Sequence, residues 1–111
     1  MSNYHLIVYG ATSFVGQLLT RYLFERHGAQ GDFRWAIAGR SQSKLATLRS
    51  SLGSAAQSLP IVLADAADET ALMAMCQQTK VVVSTVGPYA LYGSPLVKVC
   101  AHSGTDYCDL T

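Results

Sequence analysis

The segment His5-Leu6-Ile7-Val8-Tyr9-Gly10-Ala11-Thr12-Ser13-Phe14-Val15-Gly16 restricts the fold more than any other part of the chain. A short apolar run ends in a glycine, and a second glycine follows where an amphipathic stretch begins. This is the pattern of a β-strand that turns tightly into the N-terminus of a helix. The free N–H groups of such a turn, with the helix dipole behind them, make a site for a phosphate. Gly10 permits the sharp turn and Gly16 lets the helix lie close to the strand. Thr12, Ser13, Phe14 and Val15 are the turn and first helical residues bordering that phosphate. Ser13 stands where a dinucleotide fingerprint carries its middle glycine. Its hydroxyl can cap the helix or donate to a phosphate, so exchange for glycine is expected to be tolerated. The same two glycines also fit a βα turn that only packs, and the choice rests on what lies downstream.

Downstream, apolar runs alternate with helical periods. Val15, Leu18, Leu19, Tyr22 and Leu23 share one helical face, and Gly28 ends that helix. Trp35 to Ala38 reads as a second strand closing at Gly39, and Ser41 caps a helix with Leu45, Leu48 and Leu52 on one side. The loop from Gly53 to Pro60 reads as the loosest stretch. A third strand, Ile61 to Ala64, ends at Asp65, and Asp68 caps a helix burying Leu72, Met75 and Cys76. Val81 to Thr85 is β-branched as a strand buried on both faces should be. Ser94-Pro95 starts a helix with Leu96, Val99 and Cys100 inward, and Asp106 to Leu110 is a fifth strand. Five strands alternating with four helices give an α/β fold: a doubly wound parallel sheet of the Rossmann dinucleotide-binding type. The 111 residues form one such domain.

Composition excludes several classes. A net charge of +1 with scattered basic residues gives no footprint for nucleic acid, and no apolar run is long enough to span a membrane. No signal peptide is visible, so a cytoplasmic location is expected. Cys76, Cys100 and Cys108 lack metal-ligand spacing, and read as reduced thiols filling the core. No metal site is expected. The G-x-S-x-G and G-K-[ST] motifs of hydrolases and P-loop proteins are absent.

In this fold the end of the second strand meets the adenosine ribose, where an acidic residue selects NAD and an arginine selects NADP. Here that end is Gly39-Arg40-Ser41, with Lys44 one turn on. A guanidinium holds a phosphate through two parallel N–H···O bonds, and Ser41 adds a hydroxyl, so NADP is the expected cofactor rather than NAD. Asp65 either accepts from the adenine amino group or satisfies its own turn. Val86, Gly87 and Pro88 would form a wall for the nicotinamide ribose, or an ordinary Gly-Pro turn. Tyr89 and Tyr92 have no lysine four residues later, so the Tyr-x-x-x-Lys pair of short-chain dehydrogenases is missing. His5, His27 and His102 have no catalytic spacing, and no catalytic residue is identified.

Four segments together resemble one family: Gly10 to Gly16, Ala38 to Ser41, Val83-Ser84-Thr85-Val86-Gly87-Pro88-Tyr89, and Gly104-Thr105-Asp106-Tyr107-Cys108-Asp109-Leu110-Thr111. They are similar to the N-terminal NADP-binding part of saccharopine dehydrogenase-like oxidoreductases, which include the trans-acting enoyl reductases. The resemblance implies a pyrophosphate on the glycine turn and NADP at Arg40. It also implies a second, C-terminal domain closing over the nicotinamide and choosing the substrate, which makes the chain a fragment that is inactive alone and prone to self-association. The alternative function is a non-catalytic dinucleotide-binding sensor or scaffold. An S-adenosylmethionine fold is disfavoured by Arg40, where an acidic ribose ligand would be needed.

Overall fold

The computed structural model of the chain describes residues 3–85 and 94–109. Five strands form one sheet: β1 (Tyr4–Tyr9), β2 (Trp35–Gly39), β3 (Ile61–Leu63), β4 (Thr79–Ser84) and β5 (Asp106–Asp109). Among the described residues four α-helices lie between them: α1 (Phe14–His27), α2 (Gln42–Ser51), α3 (Glu69–Cys76) and α4 (Ser94–Ser103). The spatial order is β3-β2-β1-β4-β5 and every pairing is parallel. The order reverses between β1 and β4, which opens the crevice where doubly wound sheets bind ligands. No helix among the described residues is long and apolar enough to cross a membrane.

Alternating side chains split the strands between two cores. Val8, Trp35 and Ile37 face α1 and α2, joining Leu23, Leu45, Leu48 and Leu59. Ile7, Tyr9, Ala36 and Ala38 face the other way and pack with Leu72, Met75, Leu96 and Val99 of α3 and α4. Small residues on β2 leave room for the larger ones from the helices. Asp68 caps α3 by accepting from the Ala71 N–H at 3.1 Å, as its sequence position indicates.

Two expectations need correction. The buried face of α1 is Gly16, Thr20 and Leu23, whereas Val15, Leu18 and Tyr22 are exposed. The cause is Gly16, whose missing side chain turns that face onto the turn backbone. A Cβ there would overlap the Gly10 carbonyl oxygen and lie 2.8 Å from Ala11 Cα. The stretch before Pro60 is not loose either. Gly53 turns with φ 108°, a 3-10 turn covers Ser54–Ala56, and Ala56 and Leu59 are fully buried.

Candidate functional site

The C-terminal ends of β1, β2, β3 and β4 are tied together by backbone hydrogen bonds that continue the sheet past its last pairs. Gly10 N–H donates to Ala38 O (2.9 Å), Ala64 N–H to Gly39 O (2.9 Å) and Thr85 N–H to Tyr9 O (2.9 Å). These bonds bring the glycine turn, the Arg40 loop, Asp65 and Thr85 to one edge of the molecule.

Gly10 adopts φ 80°, a conformation that an L side chain resists, and so leads β1 directly into the turn. Ser13 is the N-cap of α1, with φ −68° and ψ 165°, values that suit any residue, so no glycine is needed there. Its Oγ accepts from Gly16 N–H at 3.0 Å and donates toward Thr85 Oγ1 at 3.1 Å. Thr85 Oγ1 in turn donates to Gly10 O at 2.7 Å, with Tyr9 O sharing the proton at 3.1 Å. The hydroxyl pair thus closes a ring from helix start through β4 back to the glycine. Ser13 is a cap and a strut. Thr85 was not singled out by sequence, because only the β1–β4 pairing puts it beside the turn. An α-helix leaves its first N–H groups without internal acceptors. Ser13 takes up that of Gly16, which leaves those of Phe14 and Val15 for an external anion.

At the end of β2, Ser41 caps α2, its Oγ accepting from Lys44 N–H at 3.3 Å. Arg40 and Lys44 are exposed. The ion pair found among the described residues is Lys98 with Glu69, elsewhere, so neither cation has a carboxylate partner there. Thr12, Ser43 and Lys44 line one groove of about 480 Å³ between α1 and α2, with Arg21 and Gln17 on its α1 side. Asp65 accepts from Ala67 N–H at 2.9 Å, so one carboxylate oxygen serves its own turn.

Tyr9 is a second residue that sequence reasoning passed over. Its ring is buried under the sheet edge and its hydroxyl donates to Ala64 O at 3.0 Å, joining the end of β1 to that of β3 across β2. Burial pushes this hydroxyl up to about 12, Asp65 pushing the same way and Arg40 opposing. Arg40 and Asp65 therefore both act at the Tyr9 hydroxyl, with opposite effect. His5 and His27 meet elsewhere, both against Phe33, at 5.5 and 4.6 Å between ring centres. Val86, Gly87 and Pro88, with Tyr89 and Tyr92, lie outside the described residues. No group of His, Cys, Asp or Glu suited to a metal occurs among the described residues.

The turn, the unpaired cations and the absence of an acidic side chain at Arg40 fit the phosphates of NADP. Comparisons with known proteins agree. The model of the saccharopine dehydrogenase NADP binding domain matches residues 6–111. Over 108 residues, 97% of the chain, it is 50% identical to a Mycobacterium tuberculosis protein provisionally named a trans-acting enoyl reductase. It is 44% identical over the same length to the trans-acting enoyl reductase of Mycobacterium leprae. The chain spans 25% of the length of these relatives. Among solved structures, apo saccharopine dehydrogenase (L-Glu forming) from Saccharomyces cerevisiae superposes with a TM-score of 0.73 at 21% identity, over 96% of this chain and 21% of that one. A Veillonella parvula short-chain dehydrogenase/reductase in complex with NADP gives 0.69 at 14% identity, over 96% and 46%. These last two share the fold. With the family model covering nearly its whole length, the chain belongs to the saccharopine dehydrogenase NADP-binding domain family.

Proposed function

We propose that this domain holds NADPH for a reductase that delivers hydride to the carbon–carbon double bond of an enoyl substrate, as the names of its mycobacterial relatives suggest. The nicotinamide supplies the hydride when bound. Gly10, Thr12, Ser13, Phe14, Val15 and Gly16 cradle the pyrophosphate, with the Phe14 and Val15 N–H groups as donors. Arg40, Ser41 and Lys44 hold the 2′-phosphate, and the remaining oxygen of Asp65 accepts from the adenine amino group. Val86, Gly87 and Pro88 border the nicotinamide ribose. Substrate selection belongs to chain beyond this quarter-length domain.

One observation carries the cofactor assignment: two cations with no carboxylate partner stand at the end of β2, where an acidic side chain would repel a 2′-phosphate. A hydrogen bond to a charged group contributes about 1.5–3 kcal/mol. Arg40→Ala should therefore weaken NADPH binding roughly ten- to hundred-fold, while NADH binding barely changes. Calorimetric titration of both cofactors against both proteins is the test. Equal losses for the two would remove Arg40 from the 2′-phosphate site.

A further inference from the structure

Far from the glycine turn, the last residue of α3 meets the last part of α4. Cys76 and Cys100 are both fully buried in the core between these helices, and their Sγ atoms are 3.4 Å apart. The surrounding backbone is pinned. Thr105 Oγ1 donates to Cys76 O at 2.7 Å, Thr105 N–H donates to Cys100 O at 3.0 Å, and Ser103 Oγ lies 2.9 Å from Thr105 Oγ1. These backbone ties hold the sulfurs face to face, in addition to the contact between the sulfurs themselves. A groove of about 410 Å³, bordered by Cys76, Thr79, Lys80, Ser103, Gly104 and Asp106, runs from this point to the surface.

We propose that Cys76 and Cys100 form a buried dithiol site that reduces hydrogen peroxide and closes to an intramolecular disulfide stapling α3 to α4. The Cys76 thiolate attacks the peroxide oxygen, giving a sulfenic acid on Cys76 and releasing hydroxide, which takes up a proton to become water. The Cys100 thiol, deprotonating, then displaces hydroxide from the sulfenic sulfur, so the S–S bond forms and a second water leaves. Two thiols lose two electrons and the peroxide is reduced to two waters. A small dithiol reductant reverses the crosslink by exchange. Closure brings the sulfurs from 3.4 Å to about 2.05 Å, a movement that the two helix ends can absorb. The order of events follows from access: Cys76 borders the groove and Cys100 does not, so peroxide meets Cys76 first. The Cys100 thiol donating to Cys76, with the Ser103 hydroxyl helping, holds Cys76 below the ordinary thiol range, although burial opposes this. The same hydrogen bond, with burial, pushes Cys100 up. Cys76 is the nucleophile and Cys100 resolves.

The test uses the 111-residue chain carrying Cys108→Ser, so that the two buried thiols are the ones left to count. Hydrogen peroxide should remove both thiols, lower the mass by about 2 Da and yield a peptide linking Cys76 to Cys100. Closing a loop of this length should raise the melting temperature by roughly 5–15 °C, reversed by a dithiol reductant. Adding Cys100→Ala should abolish the rise and leave Cys76 gaining oxygen instead. Retention of both thiols under peroxide that oxidises Cys108 in the parent chain would overturn the proposal. So would oxygen addition without a crosslink, or a melting-temperature rise that survives Cys100→Ala.

Discussion

At the scale of single residues, the site rests on two hydroxyls and a phenol as much as on its glycines. Ser13 departs from the dinucleotide fingerprint, and its sequence context leaves both a cap and a phosphate donor open. The structure gives it the cap, and adds a bond to Thr85 that spans 72 residues of chain. Ser13→Gly should therefore destabilise the domain by about 1–2 kcal/mol, contrary to the tolerance that the fingerprint alone suggests. Thr85→Val should cost a similar amount, and the double variant should cost less than the sum, because each removes the other's partner. Urea unfolding of the four proteins measures the coupling, and simple additivity would exclude the strut. Tyr9 gives a pH signature. Its hydroxyl is raised from 10.0 to about 12, so the fold favours the neutral phenol. The stability this contributes is complete below pH 10, the unfolded value, and is lost as pH climbs through 12. The stability difference between the parent and Tyr9→Phe should stay level up to about pH 9.5 and shrink above it, as read from urea melts across the range. A difference that is flat to pH 12 would mean that the phenol ionises freely. Neither role was legible in sequence, since both depend on strands 55 or more positions apart becoming neighbours. Gly10 and Gly16 were legible because backbone conformation and close approach leave few residues that fit.

At the scale of elements, strands and caps follow from local chemistry, whereas the orientation of α1 does not. Ser41 and Asp68 each accept from an N–H three residues on, the bond their side chains are suited to make. Helix periodicity put Leu19 and Leu23 rightly on the inner face of α1, but it fails for Val15, Leu18 and Tyr22, because close packing of Gly16 on the turn backbone turns them outward. The buried face is instead small, and it carries a flaw: Thr20 is fully buried and its Oγ1 finds no partner among the described residues. A buried hydroxyl without a hydrogen bond costs about 1–3 kcal/mol. Thr20→Val keeps the shape and removes that cost, so it should stabilise the domain by about 1 kcal/mol after the lower helix propensity of valine is counted. A raised urea midpoint with unchanged slope is the expected reading. A lowered midpoint would show that the hydroxyl is satisfied by water.

At the scale of the whole molecule, the rotation of α1 that buries Gly16 leaves an apolar stripe on the outside. Phe14 is 79% exposed, Leu18 55% and Tyr22 54%, on successive turns of one helix, and Val15 beside Phe14 is 44% exposed. The stripe starts in the first helical turn, beside the N–H groups proposed to hold the pyrophosphate, and runs away from them along α1. Self-association is expected of a fragment, and α1 offers an apolar surface for it. A symmetric contact would place Leu18 near its own copy, since it lies midway between Phe14 and Tyr22. Four side chains make a small contact, so association should be weak and concentration-dependent. Light scattering over a concentration series should show the mass rising above one chain, and Leu18→Glu should return it to one chain by setting like charges against each other. The folded state gives the control: Leu18 is 55% exposed, so Leu18→Glu should leave the melting temperature of the dilute protein within a few degrees of the parent. If the mass rise survived Leu18→Glu, β5, the last strand in the sheet order, would be the contact, and a Pro or Lys placed along Asp106–Asp109 would suppress it instead.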